Sequence, residues 1–536
     1  MRGGKPGAFG AAQLPPRPPD RDESRAHVPQ LSFRKTRGLH RADRPTSWTS
    51  RLPRLSLLAF VVTGSAAAYV ISGTLHLYGM AAIGLLSVKL LLSLTYRPYQ
   101  AARTADRQGA APDRLDLVAI IPTYNEDPGT LRRSLRSILA QSRPVSLVHV
   151  VDDASGDLSA VRAAEEMAEQ FARAGIGLRI HRQTENKGKR EALAVGFRAS
   201  PGADAYLCVD SDTVLDPQAV AELIKPLSNR RVKAVTGLVL ALNQRKNLLT
   251  RLIDLRYGNA FLFERAAYSR LGSVLCCCGS LVVYRADVVH ANLDDFLTQK
   301  FLGRPAVFGD DRRLTNYSLM RGQVLFQSTA VAYTAVPERL GHFLRQQVRW
   351  NKSFFRESQW ALRNLPRLRP GWYLTFLEVA TWLVFTGAAL TSLAVKPATD
   401  PGNIPAHLAG YLVFTAVMGY ARSVRYLDVP RPGVTFVGRL GIYSLAPLYG
   451  LLHLVLLLPI RIYAMLTMTR GKWGTRQSGV EVADDAAATA GLYRALQDAS
   501  APQPAPVLSS FPHQAALDTR TPAPYVSDSS ATTVGG

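Results

Sequence analysis

Seventeen consecutive uncharged residues, Leu55 to Ile71 (LSLLAFVVTGSAAAYVI), have the length and composition of a bilayer-crossing helix. A second run, Tyr78 to Leu94, is interrupted only by Lys89, so residues 54–96 read as a transmembrane hairpin of two helices. Far downstream, Leu374 to Val395 carries only Glu378, and His407 to Tyr420 is a further candidate of marginal length. Val434 to Met468 is broken by Arg439, Pro447, Pro459 and Arg461 and has the length of two short passes, giving four broken spans over 373–468. Residues 1–53 are polar and Pro-rich and hold eleven Arg or Lys against four Asp or Glu. The run at 55–71 is therefore expected to be an anchor and not a cleaved leader, with the N-terminus in the cytosol. Two passes return the chain to the cytosol near Tyr96, which makes 97–338 a cytosolic domain held at the cell membrane, followed by interfacial helices over 339–372.

The formal net charge of +24, from 64 Lys and Arg against 40 Asp and Glu, gathers in the N-terminal tail and beside the spans. Contact with anionic lipids of the bilayer accounts for it, an acidic polymer is compatible with it, and no nucleic-acid-binding module is present. The four cysteines, Cys208 and the consecutive Cys276, Cys277 and Cys278, form no disulfide framework and lack zinc-ligand spacing. Residues 479–536, rich in Ala, Pro, Ser and Thr, read as a disordered tail, as do residues 1–53.

From Leu115 onward short apolar strands alternate with helical stretches, the pattern of a mostly parallel α/β sheet. LVAIIPTYNE ends in a loop carrying Tyr124 and Glu126, and VSLVHVVDDAS ends at Asp152 and Asp153. Such loops leave the carboxyl ends of strands, where open α/β sheets bind ligands. Their carboxylates either meet ribose hydroxyls and a base N–H or cap the next helix. NKGKRE (186–191) is a Gly-containing basic turn that opens a helix, suited to phosphate or simply to solvent, and it lacks the P-loop spacing. AYLCVDSD places Asp210 and Asp212 two apart at a strand end, on one face, where carboxylates plus diphosphate oxygens suit Mg2+ or Mn2+. The small residues of CCCGS (276–280) either admit a substrate close to the backbone or pack tightly.

Residues 309–357 hold the densest chemistry: GDDRRLTN sets Asp310 and Asp311 at a helix start, and a later helix carries Gln346, Arg349 and Trp350 as Q-x-x-R-W. A carboxylate can take a proton from a hydroxyl, a guanidinium can hold a phosphate, and an indole can stack on a pyranose. An Asp pair at a helix start also complements the helix dipole.

Taken together, PTYNE, VDD, NKGKRE, DSD, GDDRRLTN and QQVRW resemble the processive family-2 glycosyltransferases of GT-A (Rossmann-like) fold, the group of hyaluronan, chitin and cellulose synthases. FLGRPAVFGDDRRLTNY (301–317), RQQVRWNKSFFRES (345–358) and PLYGLLHLVLLLPIRIYAMLTMTRGKWGTR (447–476) resemble the hyaluronan synthases most. The resemblance implies that Tyr124, Glu126, Asp152, Asp153 and Lys187 meet the uridine diphosphate end, with Asp210 assisting and Asp212 holding the metal. It implies that Asp311, beside Asp310, is the base, and that Gln346, Arg349 and Trp350 bind diphosphate and acceptor sugar. Trp473, Gly474, Thr475 and Arg476, within 469–478, resemble the family's gating loop. Cys278, Gly279 and Ser280 occupy the acceptor segment, where the family usually has one cysteine and Gly-Pro. The implied activity is processive, inverting polymerisation of UDP-N-acetylglucosamine and UDP-glucuronic acid into a β-linked, exported polysaccharide, by a chain for which a monomer is allowed. A synthase using UDP-N-acetylglucosamine alone is the rival. A glucuronate carboxylate also calls for a cation, from Arg312, Arg345 or Arg285.

Overall fold

The structure, a computed structural model, describes residues 77–100, 114–306 and 308–469, with residues 59, 63 and 64 in addition. The expected first span at 55–71 lies almost wholly outside the described residues. Both tails and the segment 470–478, with Trp473, Thr475 and Arg476, lie entirely outside them.

Helix α1 (Leu77–Thr95) leads into the domain of alternating strands and helices. Strand β1 (Leu117–Thr123) is a nearly continuous buried apolar run, as a strand covered on both faces must be. It gives way to α2 (Pro128–Leu139), started by the Asp127 carboxylate accepting from Thr130 N at 2.7 Å and by Pro128 at its first position. Leu131, Leu135 and Ile138, at helical spacing, are fully buried beneath it. Strands β2 (Leu147–Asp152) and β3 (Gly177–Arg182), helix α3 (Lys189–Ala199), and strands β4 (Ala205–Cys208), β5 (Thr213–Leu215) and β6 (Val232–Ala241) follow. Helix α4 (Leu248–Gly258), strand β7 (Val282–Arg285), a small ribbon of β8 (Lys300–Phe301) and β9 (Arg304–Pro305), helix α5 (Asp310–Arg321) and strand β10 (Gln323–Thr334) complete the domain.

Eight strands form one sheet in the order β3-β2-β1-β4-β7-β6-β10-β5. It is parallel, as expected, except for β7, which runs antiparallel to β4 and β6, and the edge strand β5. The reversal of β7 matters for the site. It pairs Val282, at its beginning, with Cys208, at the end of β4, so the loop before β7 joins the loops that leave β1, β2 and β4.

Helix α6 (Leu340–Asn364) follows β10 and leads to α7 (Pro370–Leu390) and α8 (Ile404–Ser423). Then come α9 (Phe436–Tyr443), α10 (Ala446–Leu452) and α11 (Leu458–Leu466). Among the described residues two helical runs are long and apolar enough to cross a membrane, Pro401–Asp428 and Phe436–Leu466, with mean hydropathies of 1.3 and 1.8. Where the sequence suggests two passes within 434–468, the structure has one helical run of 31 residues, interrupted at Ser444–Leu445 just before Pro447 and by a π-helical turn at His453–Leu457 before Pro459. Large apolar side chains left in the open gather on these helices, among them Val88, Phe376, Val413, Val437 and Leu466, as lipid contact requires.

Two joints bind these helices to the sheet. Past the end of α1, Tyr96 donates to Phe326 O at 2.7 Å, and Gln327, where β10 shifts register, exchanges bonds with Tyr99 N and O. Beyond α8, Tyr426 and Arg431 both donate to the fully buried Asp254 of α4, Arg431 at 2.6 Å, while Asp254 also accepts from Ala241 N at 2.9 Å. Removing one partner of such a buried pair strands the other charge. Asp254→Ala is expected to cost about 3–5 kcal/mol, and Tyr426→Phe about 1.5–3 kcal/mol. Thermal unfolding of the detergent-solubilised chain measures both, and a native melting temperature in Asp254→Ala would show that this joint contributes nothing.

Candidate active site

The carboxyl edge of the sheet opens into a cavity of about 880 Å³ that runs on between the helices of the apolar region. Tyr124, Asp153, Asp210 and Asp212 line its sheet end, Asp311, Arg349 and Trp350 its middle, and Glu378, Tyr411 and His453 its far end. The loops that build the sheet end are strained and laced together. Asn125 and Ala154 hold positive φ of 44° and 59°, Asn125 N donates to Ser155 Oγ at 2.7 Å, and Gly156 N donates to Asn125 Oδ1 at 2.9 Å.

Several expected residues act from behind the wall. Glu126 is buried and accepts from Ser211 Oγ at 2.5 Å. Asp152 is fully buried and accepts from Ser155 Oγ at 2.5 Å. Asp153 does line the cavity, and it accepts from Lys187 N and Gly188 N, each at 2.8 Å, and from Gln183 Nε2 at 2.9 Å. Burial raises its pKa against the lowering by those two backbone bonds. This carboxylate therefore shapes the basic turn. The Lys187 side chain points away, its Nζ 3.1 Å from Glu185.

Lys189, the first residue of α3, takes the position that the sequence assigned to Lys187. Its Nζ bonds Asp210 Oδ1 inside the cavity. Burial alone would lower the Lys189 pKa, but Asp210, with Asp311 and Asp310 behind it, raises it, so the ammonium stays charged. Asp210 Oδ2 accepts from Ser280 Oγ at 2.8 Å, which ties the departure from Gly-Pro to the aspartate pair, and Cys278, Gly279 and Ser280 all line the cavity. Gly279 brings its backbone close to this pair, since a Cβ there would lie 2.8 Å from Lys189 Nζ and push the lysine aside.

Asp212 reaches the cavity with one oxygen held from behind by Thr334 Oγ1 at 3.0 Å and Thr213 Oγ1 at 3.3 Å. Hydroxyls that fix a carboxylate in this way are typical support for a metal ligand. Among the described residues no three Asp, Glu, His or Cys side chains form a ready-made cage. The donor set fits Mg2+ or Mn2+ all the same, because these ions take one or two carboxylates and draw the rest from water and substrate phosphates.

Helix α5 begins at the same edge. Gly309, at φ 108°, lets its start press on α6, where a Cβ would meet Ser353 Oγ at 2.6 Å. Both aspartates line the cavity, but their partners differ. Asp310 is buried and accepts from Arg190 Nε at 2.9 Å. Asp311 faces the cavity and is met by Arg312 N at 2.8 Å and the Cys276 thiol at 3.8 Å. Burial pushes the Asp311 pKa up, against the lowering by Lys189 and Arg312. A carboxylate so desolvated is a better base than an exposed one.

On α6, Gln346, Arg349 and Trp350 all line the cavity, and Gln346 Oε1 is buried with no hydrogen-bond partner among the described residues. Trp350 is 37% exposed, with the Arg256 guanidinium 5.5 Å from its ring. Of the three cations considered for a uronate, Arg312 lines the cavity, over the Phe354 ring at 5.2 Å. Arg285 is spent on the carbonyls of Val232 and Leu227, and Arg345 is exposed to solvent. The thiols are not nucleophiles: burial pushes Cys276 and Cys208 up to about 12, and Cys278 is also raised. Sequence reasoning passed over Arg256 and Thr334 as site residues, and within the basic turn 186–191 it assigned the nucleotide contact to Lys187 rather than Lys189. For Lys189 the signal lay in helix phase, because the residue that opens a helix at this edge faces the ligand.

A family described as "Glycosyltransferase like family 2" matches residues 112–353. The chain is 38% identical over 406 residues to a hyaluronan synthase of Streptococcus pyogenes, covering 76% of this chain and 92% of the relative. It is 35% identical over 426 residues to an N-acetylglucosaminyltransferase of Sinorhizobium fredii, covering 75% and 96%. Among solved structures, a mannosyltransferase from Pyrobaculum calidifontis in complex with GDP-Man and Mn2+ superposes with a TM-score of 0.46 at 18% identity, covering 78% of this chain and 100% of that one. With its mixed α/β domain of GT-A type and its hyaluronan-synthase-like sequence, the chain belongs to glycosyltransferase family 2.

Proposed function

We propose that the chain is a processive, inverting membrane glycosyltransferase that joins UDP-N-acetylglucosamine and UDP-glucuronic acid into a β-linked, hyaluronan-like polysaccharide and passes it out through its own helices. The observation that carries this reading is the single cavity that starts among the carboxylates of the sheet edge, passes Trp350 and continues between membrane helices. A soluble transferase has no use for its far half.

In this reading the uridine end of the donor lies against Tyr124 and Asp153, and its diphosphate reaches Lys189, Arg349 and Gln346. The acceptor sugar stacks on Trp350. Asp311 takes the proton of the acceptor hydroxyl, whose oxygen attacks the anomeric carbon on the face opposite the diphosphate. The new C–O bond forms as the bond to the diphosphate breaks, and an α-linked donor gives a β-linkage. Lys189 and Arg349 meet the negative charge left on UDP. Mg2+ or Mn2+ at Asp212, with Asp210 alongside, would supply Lewis-acid neutralisation of that diphosphate. Arg312 is assigned to the uronate carboxylate, and Trp473, Thr475 and Arg476 to a loop that closes over bound nucleotide. The layout is a cytosolic domain at the plasma membrane, in a multi-pass chain.

Asp311→Asn keeps the shape and loses the base. It is expected to hold UDP within a few-fold of native affinity while transfer falls by about 10²–10⁴. The native rate should fall as pH drops through the raised Asp311 pKa, on a limb above the ordinary aspartate value of about 3.9. Near-normal turnover in Asp311→Asn would move the base elsewhere. Asp212→Ala should remove the metal dependence of UDP titration, and the same gain on adding Mn2+ in mutant and native protein would refute the ligand assignment. Membranes given both donors should yield a polymer sensitive to hyaluronidase. A long, hyaluronidase-resistant polymer from UDP-N-acetylglucosamine alone would instead favour the chitooligosaccharide-synthase reading, which the Sinorhizobium relative makes concrete.

A further inference from the structure

The segment before β7 is bonded to the first turn of α5, where Asp311 sits. Arg265 Nε donates to Cys276 O at 2.8 Å, and Cys277 N donates to Thr315 Oγ1 at 2.9 Å. Thr315 Oγ1 and the Tyr284 hydroxyl in turn donate to Asp311 O, at 2.6 and 3.3 Å. This unit fixes Cys276, half-buried on the cavity wall, beside the aspartate. Asp311 Oδ1 accepts from Arg312 N at 2.8 Å, and Oδ2 has the Cys276 thiol at 3.8 Å. The thiol has one proton and a second acceptor in reach, Cys277 O at 3.6 Å. The carboxylate is the stronger of the two acceptors because it carries charge. The thiol keeps its proton, since burial, with Asp311 next in effect, pushes its pKa up to about 12. Other charged and titratable groups also face Asp311. Lys189 of α3 does so while bonded to Asp210, and Arg312 and Asp310 lie on its own helix, Asp310 taken by Arg190. Tyr284 of β7 and the thiols of Cys277 and Cys278 are close to it as well. On α6, Arg349 lines the cavity, while Arg356 and Glu357 turn to Phe308 O and Arg313. All of these stay when the Cys276 thiol alone is removed, so a change in the titration of Asp311 is then the thiol's own.

We propose that Cys276 is a positioning residue for the base: its S–H holds Asp311 Oδ2 and sets the pH below which that carboxylate stops taking the acceptor's proton. The inference rests on the reading of Asp311 as the base. It deepens that reading with a residue this chain adds, three cysteines standing where the resembled family usually has one. One donor on each oxygen fixes the plane of the carboxylate, which gives the remaining lone pairs a set direction toward the incoming hydroxyl. A donor to the ionised form also favours that form, and so opposes the burial that lifts the Asp311 pKa. A thiol suits both tasks. It is a weak donor, so it orients the oxygen without holding the pKa as low as an ammonium in its place would.

The test uses the full-length detergent-solubilised protein with two variants, Cys276→Ala and Cys276→Val. Both remove the donor, and Val keeps most of the bulk. Transfer is lost as pH falls through the Asp311 pKa, and removing a donor from the ionised form raises that pKa. The acid limb of the rate should therefore move to higher pH in both variants alike, by about 0.5–1 unit, the worth of a weak donor to a charged acceptor. A native limb in Cys276→Val beside a shifted one in Cys276→Ala would make the role one of packing and overturn the proposal. The second readout needs no turnover. In infrared difference spectra of native against Cys276→Ala protein, the S–H stretch of Cys276 should lie below that of a free thiol. In an Asp311→Asn background, where a neutral amide replaces the charged acceptor, it should rise. A band at the free-thiol position, or one that Asp311→Asn does not move, overturns the bond. With Asp311→Asn inactive and both Cys276 variants on the native limb, the tuning is overturned and the base stands. With Asp311→Asn active, the base is refuted and the tuning falls with it.

Discussion

The organisation of the molecule follows from the gathering of like charges at one sheet edge. Asp152, Asp153, Asp210, Asp212, Asp310, Asp311 and Glu126 all sit where strands end or helices begin, and unit charges a few ångströms apart repel by several kcal/mol at an effective dielectric of about 20. The chain compensates them one at a time. Asp152 and Glu126 take serine hydroxyls, Asp153 takes two backbone N–H groups, Asp210 takes Lys189, Asp310 takes Arg190, and Asp212 takes threonine hydroxyls. Asp311 receives a backbone N–H and a thiol, weaker partners than a cation, and burial lifts its pKa as it lifts that of Asp153. A uniform supply of cations would have silenced that difference.

The same economy joins Asp311 and the Gln346–Trp350 segment into one body. Arg313 on α5 grips Glu357 on α6 with two bonds, at 2.7 and 3.3 Å, stacks over Trp360 at 4.5 Å and reaches Asp295 at 3.2 Å. Arg356 reaches back to Phe308 O at 2.8 Å, just ahead of Gly309. Asp311 and the Gln346–Trp350 segment are therefore set by rigid contacts between two helices, which is how a reacting geometry is held to a fraction of an ångström.

Much of this was legible in the chain. Strand–helix alternation gave a mostly parallel sheet, and paired carboxylates after apolar strands marked its ligand edge. Legibility ended where direction and phase decide. Nothing in VVYR announces that β7 runs backwards, because an apolar tetrapeptide has no polarity of its own. Lys187 and Lys189 are equivalent in composition, and the turn geometry set by Asp153 chooses between them. Arg285, Arg312 and Arg345 likewise look alike until their surroundings are known.

The reversed β7 separates what the sheet needs from what the ligand meets. The loop before it is held by its backbone: Cys277 N donates to Thr315 Oγ1 at 2.9 Å and Cys278 N to Thr236 Oγ1 at 3.2 Å. The side chains at 276, 278 and 280 carry no strand pairing and face the cavity. Side chains there can therefore be exchanged without re-registering a single strand, so the chemistry of the cavity wall can change while the scaffold stays intact.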